Sequence, residues 1–203
     1  MAVITISRQF GTGAETLGQM LAKEFGYTFF DKDIIQMISK EANVSPNFVR
    51  LVESEGGSKL SKFISTLVSK AKVDSILANE RGYIDDEIYP DYLILIIAQI
   101  ADEGNAVILG RGSQYILKDH PDAFHILLIN EFKNRVKYLM DSANIPEKKA
   151  IRTVTNEDKR RDNLYGKLGK KDYDNASLYH LVLNMGRFTM ESALKQVLAM
   201  VNQ

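Results

Sequence analysis

The stretch Ile4-Thr5-Ile6-Ser7-Arg8-Gln9-Phe10-Gly11-Thr12-Gly13-Ala14-Glu15-Thr16-Leu17-Gly18 constrains this chain more than any other. A short β-branched run with little charge enters a glycine-containing loop, and the loop opens directly into residues with helical apolar spacing. Such a junction has the layout of a phosphate cradle. Backbone N–H groups at a helix N-terminus lack intrahelical acceptors and carry partial positive charge, and glycines let an anion approach them closely. The consensus G-x-x-x-x-G-K-[ST] adds a lysine for the β/γ-phosphates and a hydroxyl for the metal. Gly13 fits its second glycine, whereas Arg8 occupies the first, Ala14 the lysine position and Glu15 the next. The outline of the cradle is present and its chemistry is altered.

A strand that feeds a helix through such a loop belongs to an alternating α/β chain, and the remaining pattern agrees. Residues 2–7 are apolar on both faces, which suits a central strand of a parallel sheet. Leu17, Met20, Leu21 and Phe25 share one helical face that ends at Gly26. Further strands are expected at 27–30, 106–109, 124–129 and 178–184. Ile34, Ile35 and Ile38 mark one helix, and Ser45-Pro46 gives another helix start. A short helix is expected over 113–117. Asn130 is expected to cap a helix carrying Val136, Leu139 and Met140, and Pro146 to start a long polar helix through Arg160-Arg161. Gly166 and Gly169 should loosen the basic stretch that follows. Thr189 should cap the last helix, with Ala193, Leu194, Val197, Leu198 and Val201 facing inward.

Between Gly56 and Gly104 helix follows helix. Leu60, Phe63, Ile64, Leu67 and Val68 keep helical spacing, then Ile76 and Leu77 appear in a polar neighbourhood. Gly82 breaks the run, and Pro90 opens an apolar helix over 92–101. Gly56-Gly57-Ser58 is the expected hinge. The spacing predicts a single domain over 1–203: a three-layer α/β/α fold with a five-stranded parallel sheet, a helical insertion over about 44–101 and a lid region over about 146–175.

In an open parallel sheet, ligands bind beyond the carboxyl ends of the strands. Four polar features fall there: the loop over 8–16, Asp31, Arg111, and Asn184 with Arg187. Each has a bland reading as a turn, a helix cap or a salt-bridged surface group, but one shared site accounts for all four. Glu157-Asp158-Lys159-Arg160-Arg161-Asp162, with Lys167, Lys170 and Lys171, reads either as a solvated helix face or as a basic lid over a transferring phosphoryl group. Lys+Arg 26 against Asp+Glu 26 leaves no global field for nucleic acid or anionic lipid, so any anion site must be local. Cys is absent, which removes thiol nucleophiles and disulfides and fits a reducing compartment. His120, His125 and His180 lack the i, i+4 spacing of a helical zinc site. No secretory pattern begins the chain, and the apolar run 92–100 is too short to span a bilayer. A cytoplasmic protein with neither nucleic-acid nor membrane partner is expected.

The whole pattern resembles the cytidylate kinase-like family, a branch of the P-loop nucleoside monophosphate kinases. The residues that carry the resemblance are Ile4 to Gly13 as quoted above, Phe29-Phe30-Asp31-Lys32-Asp33, Ile108-Leu109-Gly110-Arg111-Gly112, Asp158-Lys159-Arg160-Arg161 and Ser177-Leu178-Tyr179-His180-Leu181-Val182-Leu183-Asn184. The resemblance implies ATP- and Mg2+-dependent phosphoryl transfer to a small-molecule nucleotide, with CMP or dCMP favoured. In that reading Gly11, Thr12, Gly13, Ala14, Glu15 and Thr16 cradle the donor phosphates, and Thr16 helps organise Mg2+. Arg8 stands in for the missing lysine, or else pairs structurally with Glu15 or Asp31. Asp31, Lys32 and Arg111 face the acceptor, and Arg160 and Arg161 close over the transferring group.

Three motifs depart from those of cytidylate kinases. Their cradle reads G-P-S-G-A-G-K-G-T, and Ala14 stands where its lysine belongs. Their D-S-G-A-I-Y-R after the second strand becomes Asp31 with Lys32 at the serine and Met37 at the arginine. Their G-R-D keeps Arg111 but has Gly112 for the aspartate. The rival reading is a nucleotide- or anion-binding protein that kept the fold and lost catalysis. The insertion reads either as a homodimerisation element or as helices packed on the core.

Overall fold

The computed structural model describes residues 2–54 and 88–202. The apolar spacing over 60–77, the hinge at 56–58 and Gly82 lie outside the described residues. Five parallel strands form one sheet in the order β2-β3-β1-β4-β5. They are β1 (Val3–Arg8), β2 (Thr28–Phe30), β3 (Ala106–Leu109), β4 (Ala123–Ile129) and β5 (Leu181–Asn184). In β1, Val3 pairs with Ala106 on one side and Ala123 on the other.

Successive side chains of a strand point to opposite faces, and each face of this sheet meets its own helices. Val3, Ala106 and Ile108 join Ile34, Ile38, Leu93, Ile97 and Ile100 in one core. Ile4, Ile6, Val107 and Leu109 join Leu17, Leu21, Ala193 and Val197 in the other. Burial on both faces explains why β1 and β3 read as continuous apolar runs.

The helices of the described residues are α1 (Ala14–Phe25), α2 (Asp33–Glu41), α3 (Pro46–Ser54), α4 (Tyr89–Glu103), α5 (Ser113–Ile116), α6 (Phe132–Ala143), α7 (Glu147–Lys167) and α8 (Met190–Val201). Two helix starts use the expected hydroxyls: Ser45 Oγ accepts from the Phe48 N–H at 3.2 Å, and Thr189 Oγ1 from the Ser192 N–H at 3.2 Å. Other boundaries differ from the sequence expectation. Glu131, not Asn130, holds the cap position of α6. Asn130 is instead tied to the first loop, its N–H donating to Gln9 Oε1 at 3.0 Å. Helix α7 runs through Gly166 to Lys167, its last turn anchored by buried Leu164 and Tyr165. Strand β5 begins only at Leu181, because Ala176–Leu178 forms a 3-10 turn held by the Asn175 side chain accepting from the Ser177 N–H.

His125 and His180 are structural cross-links among the strands. His125 Nδ1 lies 2.8 Å from Thr5 Oγ1, and the His125 N–H donates to His180 Nδ1 at 2.9 Å. Burial and the neighbouring His180 push the His125 imidazole down to about 4. Among the described residues no helix is long and apolar enough to cross a membrane.

Candidate active site

The sheet order sets β1 between β3 and β4, so the loops after β1, β2 and β3 open on one edge and line a common cleft of about 830 Å³. On one side of the cleft the chain leaves β1 and turns into α1 through Gly11 and Gly13, both with positive φ. Close approach excludes a side chain at Gly11: a Cβ there would lie 2.7 Å from the Arg135 carbonyl oxygen. The first bond of α1 runs from the Leu17 N–H to the Gly13 carbonyl at 3.0 Å. The N–H groups of Ala14, Glu15 and Thr16 therefore have no helical acceptor, and among the described residues no side chain caps them. These residues line the cleft. An anion seated there meets three donors and the positive end of the helix.

Arg135 fixes this loop from behind. Its Nη1 donates to both Asp158 carboxylate oxygens, at 2.9 and 2.8 Å, and to the Phe10 carbonyl at 3.2 Å. One guanidinium thus connects α6, α7 and the cradle backbone.

The opposite side of the cleft is built on Glu53. This α3 residue is only 3% exposed, and its carboxylate is shared by three donors. Arg111 and the Tyr89 hydroxyl bond to Oε1, and Arg160 Nη2 to Oε2 at 2.7 Å. Burial alone would raise the Glu53 carboxyl, but Arg111 and Arg160, with hydrogen bonds from Arg160 and Tyr89, hold it below its ordinary range. Arg111 reaches this position from a backbone in which Gly110, Arg111 and Gly112 all have positive φ. For Arg111 itself that conformation is a strain of about 1–3 kcal/mol, held in place by its bonds to Glu53 and to the Asp31 carbonyl.

Arg161, on the wall between the two sides, donates from Nη1 to the Arg8 carbonyl at 2.7 Å and pairs with Asp174 at 3.3 Å. Arg160 also reaches Glu157 at 3.6 Å. Arg8 extends to Gly110, where any Cβ would overlap its Nη1. Burial lowers the Arg8 pKa, and Arg111 and Arg161 act in the same direction, against Asp31 and Tyr165.

The cleft brings together Arg8, Gly11, Thr12, Gly13, Ala14, Glu15, Thr16, Asp31, Lys32, Arg111, Arg160 and Arg161, all of them singled out in the sequence. Arg187 is exposed and lies outside its lining. Glu53, Arg135 and Arg50 were not anticipated. For Glu53 a signal existed: it is an acid beside Val49 and Val52, both fully buried, on the apolar face of α3.

In each of the three departing motifs one changed residue has a packing consequence here. Ala14 and Met37 both pack into the cores, Ala14 with Leu17 and Leu21, Met37 beside Ile34 and Ile38. A Cβ on Gly112 would overlap Leu168, so α7's end stands where an aspartate would start.

A parallel sheet in this order, with a glycine cradle opening its first helix, defines the P-loop kinase fold. The sequence matches the cytidylate kinase-like family over residues 3–187, and the chain belongs to that family. An uncharacterized protein from Eubacterium ventriosum ATCC 27560 superimposes with a TM-score of 0.67 at 17% identity, covering 99% of this chain and 98% of that one. A gluconokinase from Sinorhizobium meliloti 1021 does so with a TM-score of 0.52 at 12% identity, covering 99% of this chain and 91% of that one. At such identities the likeness is one of fold. No curated protein matches the sequence.

Proposed function

We propose that this protein transfers the γ-phosphoryl group of ATP to a nucleoside monophosphate, with CMP or dCMP favoured by the family likeness. The observation that carries the reading is the shared cleft. An uncapped helix N-terminus lies on one side, and Arg8, Asp31, Arg111 and Arg160 lie around the other. In the transfer an acceptor phosphate oxygen bonds to the γ-phosphorus as its bond to the β-bridging oxygen breaks. The attacking oxygen is already ionised, so no general base is needed.

The N–H groups of Ala14, Glu15 and Thr16 hold the donor phosphates, and Arg135 keeps their loop in place. Arg160 and Arg161 supply positive charge from α7 as charge spreads over the equatorial oxygens. Removing one aimed donor typically costs about 3 kcal/mol of transition-state stabilisation, so guanidiniums in the cleft must make up for the lysine that Ala14 replaces. Mg2+ fits as an ion carried on donor phosphates, where it would neutralise charge on their oxygens. Among the described residues no cluster of three His, Cys, Asp or Glu side chains exists to cage it. Thr16 is exposed in the first turn of α1, and its hydroxyl makes no hydrogen bond to another described residue. It is the residue that would hold the ion, with Glu15 beside it.

A coupled assay of ADP release across the nucleoside monophosphates tests the reading. Turnover with at least one acceptor is expected, falling by roughly a hundredfold in Arg160→Ala. Calorimetric binding of ATP without turnover on any acceptor would establish the rival, a binding protein that has lost catalysis.

A further inference from the structure

Arg8 differs from the other buried or half-buried guanidiniums of the cleft in what it is tied to. Arg111 and Arg160 share Glu53, Arg161 pairs with Asp174, and Arg135 grips Asp158. The Arg8 guanidinium makes no hydrogen bond or ion pair with any described residue. Asp31 is the carboxylate that acts on it most strongly. On this side of the cleft the carboxylates of Glu53 and Glu157 are taken up by Arg111 and Arg160, which leaves Arg8 only the charge of Asp31. A desolvated cation without a partner is costly, and a bidentate anion is the ligand that relieves that cost.

Its direction is equally informative. Although Arg8 sits at the first position of the cradle motif, its side chain crosses to the β3 side and lies on Gly110. Gly110, with φ +73, admits the guanidinium because it lacks a Cβ. The charged and polar groups that act on Arg8 are Asp31 after β2, Arg111 after β3, and Arg161 and Tyr165 on α7. The donor N–H groups belong to the other end of the loop, at Ala14 to Thr16.

Resting on the kinase reading above, we propose that Arg8 binds the phosphate of the acceptor and is not a replacement for the donor lysine. A cation that began as part of the cradle motif is thereby assigned to the other substrate. The acceptor phosphate lies against the guanidinium on Gly110, with Arg111 behind it.

Calorimetry with two probes separates this from the alternatives. The non-hydrolysable Mg2+ complex of AMP-PNP reports the donor site, and inorganic phosphate added to the AMP-PNP-saturated protein reports the acceptor site. Arg8→Ala should weaken phosphate by at least about tenfold and leave AMP-PNP within about threefold of wild type. Arg8→Lys, which keeps the charge but loses the fork, should fall between. If Arg8→Ala is poorly folded by thermal melting, Arg8→Lys carries the comparison. A loss of AMP-PNP affinity in the folded variant, equal phosphate affinity in variant and wild type, or no phosphate binding to the AMP-PNP complex of the wild type would each overturn the assignment. Failure of the wild type to bind AMP-PNP at all would instead overturn the kinase reading on which it rests.

Discussion

Glu53 places two guanidiniums and a phenol on one buried carboxylate, and the side of the cleft opposite the glycine cradle depends on that arrangement. Truncating one partner of a buried pair leaves the other charge uncompensated, typically at about 3–5 kcal/mol. Arg111 is 9% exposed, so Glu53→Ala should lose stability on that scale in urea denaturation, and Glu53→Gln less because it keeps an acceptor for Tyr89. A loss below about 1 kcal/mol for Glu53→Ala would mean the cluster is a solvated surface group.

The guanidinium partners of Glu53 lie 58 and 107 residues away in sequence, which is why local spacing could flag the acid but not its role. Positions 14 and 37 illustrate the reverse. Compared with the family pattern they read as lost chemistry, and in the fold Ala14 and Met37 fill the two cores.

At the scale of elements, α7 joins the two sides of the cleft. Asp158 holds Arg135 behind the cradle, Arg161 holds the end of β1, Arg160 meets Glu53, and Lys167 bonds to the Val52 carbonyl. Its start at Pro146 was legible from the proline, but its polar pattern allowed either a solvated face or a lid. The structure places several of those polar groups inward, against partners that sequence spacing does not reveal. Asp158→Ala should release Arg135 from the cradle and weaken AMP-PNP binding by about tenfold in calorimetry. Thr189→Ala, at the cap of α8, should cost about 1 kcal/mol of stability and leave that affinity unchanged. Equal effects of the two substitutions on affinity would argue against a specific link from α7 to the cradle.

For the whole molecule, the strand and helix alternation fixed the three layers because burial on both faces gives β1 and β3 a distinctive apolar pattern. The strand order and the charge network required the fold itself. Stability against acid belongs at this scale, since His125 cross-links the centre of the sheet. Its imidazole titrates near 4 in the folded protein against an ordinary 6.5, so between those values the unfolded chain binds the proton more readily. Stability contributed by neutral His125 is present above 6.5 and falls as pH drops towards 4. Glu53, held below its ordinary range, adds a loss at still lower pH. The melting temperature should therefore decline from pH 7 to pH 5, with a shallower slope in His125→Gln. Parallel slopes would show that His125 does not set the acid sensitivity.

Phosphorus NMR of the protein with ATP, Mg2+ and CMP reads the proposed phosphoryl transfer in the cleft itself. The γ-phosphate resonance of ATP should be lost as ADP and CDP appear together in equal amounts; unchanged ATP and CMP, or ADP accompanied only by inorganic phosphate, would rule out transfer to the nucleotide.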